Sequence, residues 1–176
     1  MATTNLTPDS TVSNDWNVSS GTAHGVLSDS TEATVIDTNV QNKVCIVTLS
    51  DFSASFDSID SIRYYVSAYM YRSRADDSDL QVKIENASGT ALFTETENIV
   101  VNGGAFADYY GTARADDGTD AWTDADLDGL RLQLNTNLED PPNISYVRIT
   151  KAHIEVTYTA SISVTTDNAT FFGANF

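Results

Sequence analysis

The chain has 176 residues, with 9 Lys plus Arg against 25 Asp plus Glu and a formal net charge of −16. Hydrophobic residues make up 41% of it, too many for a disordered chain and enough for the core of one ordinary domain. An acidic balance of this size excludes a sequence-independent grip on nucleic acid, which needs clustered Lys and Arg facing phosphate, and it opposes docking on an anionic membrane.

Residues 1–15 are polar, lack periodicity and include Pro8, so they read as an extended N-terminal arm. The start has neither the basic nor the apolar region of a signal peptide, so synthesis in a cytoplasm is expected. Residues 16–18 are the first candidate strand, ahead of a turn at Ser19-Ser20-Gly21. Short apolar pieces follow at Val26-Leu27 and at 33–36. Val44-Cys45-Ile46-Val47 then opens a run to Leu49 with the length of a strand inside a sheet. Cys45, the only cysteine, cannot form an internal disulfide and reads as a buried thiol.

From 62 to 71 the alternation is clear. Tyr64, Val66, Ala68 and Met70 share one face, and Arg63, Tyr65, Ser67, Tyr69 and Tyr71 share the other. Leu80, Val82 and Ile84 alternate again, and the turn at Asn86-Ala87-Ser88-Gly89 leads into a hairpin partner running from Ala91 to Glu95. Residues 99–101 and 105–112 are two further strand pieces, split by Gly103-Gly104. After an acidic turn at 116–120, Thr123 is placed to cap a short helical turn through Leu127, ended by Gly129. Leu130, Leu132 and Leu134 alternate with Arg131, Gln133 and Asn135, and Pro141-Pro142 breaks the chain before the last long strand. There Val147 and Ile149 have one parity and Ala152, Ile154, Val156 and Tyr158 the other, which predicts a β-bulge near Lys151. Residues 161–176 carry Ile162 and Val164 and end in an aromatic tail with Phe171, Phe172 and Phe176.

About eight strands at turn spacings of roughly 8–15 residues, with no long helix, predict an all-β fold. The expected architecture is an antiparallel two-sheet sandwich, most simply a jelly roll. It divides into an arm at 1–15, the sandwich at 16–160 and a C-terminal strand or docking tail at 161–176. The expected core holds Val44, Cys45, Ile46, Val47, Val66, Val82, Ile84, Leu132 and Ile154.

Chemistry is sparsely signalled. Asp124, Asp126 and Asp128 before Gly129 start as a calcium loop starts, with carboxylates at alternate positions. The pattern then fails, because Asn135 stands where that loop needs a bidentate Glu. A calcium site made of these carboxylates with Asp116, Asp117 or Asp120 competes with a solvated turn, and the turn is the favoured reading, with no cofactor. His24 and His153 are the only histidines and no G-x-S-x-G elbow is present, so no enzyme is expected, although paired carboxylates suited to glycoside hydrolysis are abundant. Tyr65, Tyr69 and Tyr71 beside Arg63 suit stacking on sugars or an interface, against a bland alternative of packing on the opposite sheet. Three Phe rings at the C-terminal end suit docking on a neighbour, since exposed apolar clusters of that kind are costly.

Three blocks in order carry a resemblance: Trp16-Asn-Val-Ser-Ser-Gly-Thr-Ala-His24-Gly-Val-Leu-Ser-Asp29, then Trp122-Thr-Asp-Ala-Asp-Leu127-Asp-Gly-Leu130, then Val147-Arg-Ile149 through Ile154-Glu-Val-Thr-Tyr158. Over most of residues 10–160 the chain resembles the small jelly-roll or sandwich modules of tailed-bacteriophage virion proteins, notably head decoration (cement) proteins and parts of tail fibres. The resemblance implies a non-enzymatic structural role in the virion, with the major capsid protein and sister subunits as partners and a homotrimer as the favoured assembly. It transfers no site residue. The alternative is a carbohydrate- or receptor-binding module of a tail fibre or adhesin, and a calcium-dependent surface module is a third class.

Overall fold

Strand pairing dominates the chain because Val, Ile, Thr and Tyr recur with period two along it. The computed structural model describes residues 1–29, 31–71, 79–97, 105–137 and 146–161. Within them lie strands β1 (Ala2–Leu6), β2 (Pro8–Asn14), β3 (Asn17–Val18), β4 (Ile36–Thr38), β5 (Val44–Leu49), β6 (Phe56–Tyr71), β7 (Asp79–Glu85), β8 (Ala91–Glu97), β9 (Ala107–Tyr110), β10 (Arg131–Asn137) and β11 (Tyr146–Ala160). Two short helices, α1 (Ala23–Ser28) and α2 (Asp124–Leu127), interrupt them.

The strands form two antiparallel sheets, as the alternation predicts. The first runs β3-β4-β11-β6-β9, with β1 also paired to β11, and the second runs β2-β5-β10-β7-β8. Ile62, Val66, Ile149, Ile154 and Val156 of the first sheet meet Cys45, Val47, Val82, Ile84, Leu132 and Leu134 of the second in one buried cluster. Burial pushes the Cys45 thiol up to about 12, with Asp15 adding to the shift, so it is an inert core thiol. The expected bulge is present. Ile149 pairs with Ala68 and Lys151 with Ser67, leaving Thr150 as the extra residue.

Three expectations change. Residues 1–15 are not an arm, because β1 pairs with β11 and β2 with β5. The chain steps between the sheets at Thr7, whose N–H donates to Ser50 Oγ at 3.1 Å while Ser50 N–H donates to the Thr7 carbonyl at 2.9 Å. Backbone pairing needs no apolar pattern, and only Leu6 and Pro8 of these two strands are buried. Val44 and Ile46 are half-buried rather than core, because β5 alternates and they take its outer face. The piece at Val26-Leu27 is part of α1, which buries Ala23, Val26 and Leu27 and whose Gly25 N–H is capped by Thr22 Oγ1 at 3.3 Å.

The cap at Thr123 is present: the Asp126 carboxylate accepts from the Thr123 N–H at 2.8 Å and from its hydroxyl at 2.6 Å. Gly129 closes that turn at φ +72°, where a side chain would be strained and would press on Ala87. The strand piece expected at 99–101 and the tail with Phe171, Phe172 and Phe176 lie outside the described residues.

Leu132 is fully buried where β10 lies between β5 and β7. Leu132→Ala is expected to cost about 2–5 kcal/mol in urea unfolding. A loss below about 0.5 kcal/mol, the range of ordinary surface changes, would contradict this core.

Candidate functional site

The parity that sends Tyr64, Val66, Ala68 and Met70 into the core sends Arg63, Tyr65, Ser67 and Tyr69 to the outer face of the first sheet. Antiparallel register then builds rows across β11, β6 and β9. His153 pairs with Tyr65 and Tyr65 with Tyr110, Lys151 with Ser67 and Ser67 with Asp108, Arg148 with Tyr69, and Glu155 with Arg63. Such cross-strand neighbours are the contact unit of a sheet.

The rows are tied together by rings and charges. Tyr65 stacks on His153 at 4.5 Å and meets Tyr110 edge-on at 5.2 Å. The Arg63 guanidinium lies 4.5 Å above the Tyr110 ring while its Nε donates to Glu155 at 2.7 Å. Tyr69 meets Phe106 edge-on at 4.8 Å and Tyr146 at 6.1 Å. Arg148 lies 4.6 Å above the Tyr146 ring, donates to the Tyr69 hydroxyl at 2.9 Å and reaches Asp37 at 3.2 Å. Three of the nine Lys and Arg residues, Arg63, Arg148 and Lys151, thus gather on one face of a strongly acidic chain.

The bulge shapes this face. Thr150 is buried, and its hydroxyl lies 2.7 Å from the Thr31 carbonyl and 3.1 Å from that of Thr34. Residues 31–34 are thereby pinned beside β11 as the wall of a cavity of about 250 Å³, lined by Thr31, Glu32, Tyr65, Ser67, Asp108, Thr150 and Lys151. The Tyr65 hydroxyl donates to Asp108 at 2.7 Å, and burial together with that bond pushes the phenol up to about 12.

Under Tyr65 sits His153, 3% exposed, with neither ring nitrogen in a hydrogen bond. Burial, then Lys151, lowers its pKa to about 4, against an opposing pull from Glu155, whose Oε1 lies 3.8 Å from Nε2. The imidazole is therefore neutral at pH 7.

Of the residues singled out by sequence, Tyr65 and Tyr69 belong to this face, and Tyr71 ends β6 in register with Tyr146. Tyr110, Arg148 and Asp108 were not singled out, and His153 was weighed only as a catalytic group. Their partners come from strands far apart in sequence, and only the rising alternation of β11 hinted at them. Asp124, Asp126 and Asp128 lie elsewhere, around α2. Asp126 serves the Thr123 cap, and Asp126 and Asp128 line a second cavity of about 310 Å³ with Asn86, Ser88 and Asp117. Among the described residues no three His, Cys, Asp or Glu side chains are grouped to share a metal ion, and no helix is long and apolar enough to cross a membrane.

No protein-family model matches the chain, and no curated protein matches it. Among solved structures it is similar to the xylan-binding module CBM15, at 10% identity over 92% of this chain and 99% of that one, with a TM-score of 0.44. A second similarity is to the CBM22-1 xylan-binding domain from Paenibacillus barcinonensis, at 12% identity over 91% and 95% of the two chains, TM-score 0.39. A third is to a chain of infectious bursal disease virus, Gt strain, at 13% identity over 89% of this chain, TM-score 0.42. The present chain spans about a third (32%) of the viral one. At these scores none of the likenesses bears on function; the sandwich rests on the strand pairing itself.

His153 also makes stability depend on pH. Its folded-state pKa lies below the unfolded value of 6.5, so between those two values the unfolded chain binds the extra proton. Stability from this residue is therefore complete above pH 6.5 and lost as pH falls towards 4, by about 3 kcal/mol in all. His153→Phe keeps the stacking and removes the proton. The variant should lose less stability than the parent between pH 7 and pH 4.5 in thermal unfolding, and equal slopes would contradict a buried neutral imidazole.

Proposed function

We propose that the chain is a non-enzymatic structural module that docks on a protein lattice through the outer face of its first sheet. The lattice assigned here is the head of a tailed bacteriophage, with the chain as a decoration (cement) protein contacting the major capsid protein and sister subunits, a trimer being the favoured assembly. The observation that carries this reading is the row of Tyr110, Arg63 and Arg148 on that face, with Arg63 and Arg148 each over a ring. Tyr and Arg dominate the residues that hold protein interfaces together, especially where their side chains are already fixed before contact. Here each guanidinium lies over a ring and is also bonded to a carboxylate. The resemblance of residues 10–160 to virion modules supports the choice of lattice. In this reading the aromatic tail with Phe171, Phe172 and Phe176 supplies a further anchor on a neighbour.

An extended sugar-stacking platform fits the same face less well. Stacking on carbohydrate needs bare ring faces, whereas Tyr65 is stacked on His153, and Tyr110 and Tyr146 each lie under a guanidinium. The alternative of a glycan- or receptor-binding module is favoured by one feature, the polar cavity beside Lys151.

The test is cosedimentation of the purified chain with heads of its own phage lacking it. Tyr110 is 45% exposed, so Tyr110→Ala should leave the fold intact. Combined with Arg63→Ala, it should weaken head binding by about thirtyfold, the effect of losing one interface hot spot. Unchanged binding by a folded double variant would contradict the reading.

A further inference from the structure

The cavity walled by residues 31–34 has a composition that selects its occupant. We infer that it is a binding subsite for a single neutral sugar residue. Its volume, about 250 Å³, falls just below the roughly 300–1,000 Å³ of pockets for drug-sized ligands, so it suits one ring rather than a chain. Glu32 and Asp108 offer acceptors only, Lys151 offers donors only, the Ser67 hydroxyl offers both, and the Tyr65 hydroxyl, whose proton goes to Asp108, offers an acceptor. Adjacent hydroxyls on a pyranose ring match that mixture, because each is itself donor and acceptor.

Charge removes an anionic ligand, and among the described residues no three His, Cys, Asp or Glu side chains group to hold a metal ion. The Lys151 ammonium, 5.9 Å from the centre of the Tyr65 ring, offsets one of the two carboxylates of the lining. Glu32, Asp108 and a net charge of −16 oppose an anion. A wholly apolar ligand would strip water from all of these groups without replacing their hydrogen bonds.

The walls are held before any ligand arrives. Thr150 fixes the carbonyls of Thr31 and Thr34, Asp108 holds the Tyr65 hydroxyl, and His153 lies flat against the Tyr65 ring. Ser67, 6% exposed, sits in β6 between Lys151 and Asp108. Tyr65 and the 31–34 wall therefore lose little freedom on binding. The inference does not rest on the docking reading, since it concerns a cavity and not the rings around it.

The experiment is an amide chemical-shift titration of the isotope-labelled full chain with the methyl glycosides of glucose, galactose, mannose and N-acetylglucosamine. Glucosamine and glucuronate serve as cationic and anionic comparisons. At least one neutral glycoside should shift Ser67, Asp108 and Lys151 saturably, with a Kd on the order of 1 mM, as expected for a ligand of this size. Lys151→Met, at a half-buried position, and Asp108→Ala, at an exposed one, should each weaken that binding by about tenfold, the loss of one hydrogen-bonding group, with the melting temperature kept. The inference is overturned if no neutral glycoside shifts these amides, if glucuronate binds as tightly, or if both folded variants bind like the parent.

Discussion

The pairing of β6 with β11 sets the position of nearly every side chain discussed above. Side chains on a strand alternate, so a slip of β6 by one residue would carry Val66 and Ala68 out to water and Arg63 and Tyr65 into the core. Burial of the apolar set therefore fixes the register, and the register fixes the outer face. The bulge at Thr150 reconciles two halves of β11 whose apolar residues have opposite parity. It keeps Ile149 and Ala152 both buried while Arg148 and Lys151 both remain on the outer side.

That outer face is unusual in what it retains. Edge-on ring pairs contribute roughly 0.5–1.5 kcal/mol each, and cation–ring contacts at exposed sites about 0.5–1 kcal/mol. The face therefore stabilises itself modestly and becomes stiff. Set against this, His153 is buried with two unpaired ring nitrogens, which lowers stability rather than raising it. Small rigid rows of Tyr and Arg, held in place by their own neighbours, lose little entropy on contact with a partner. The same stiffness serves the cavity, whose wall is held by the bulge residue that the register demands.

Much of this was legible in the sequence where burial leaves an apolar pattern. The alternation at 62–71 separates Val66 from Tyr65 correctly, the parity change at Ile149 to Ala152 announces the bulge, and Thr123 announces its cap. The strands at Ala2–Leu6 and Pro8–Asn14 were not legible, because they join through backbone hydrogen bonds while their Thr, Ser and Asn side chains mostly face water. Nor was α1, although Ala23, Val26 and Leu27 stand at helical spacing; at six residues it is too short for the pattern to repeat. The candidate site was half legible. Tyr65 and Tyr69 were visible on one strand, but His153, Tyr110 and Asp108 reach them only through register, which links positions from 43 to 88 residues away from Tyr65.

The most direct measurement of the proposed docking is an electron cryomicroscopy reconstruction of tailed-phage heads incubated with the purified chain. The account predicts that β11, β6 and β9 turn their outer face to the capsid lattice, with Arg63, Tyr110 and Arg148 covered by a neighbouring protein. A reconstruction in which that face points to solvent, or heads that carry no density for the sandwich at all, would contradict it.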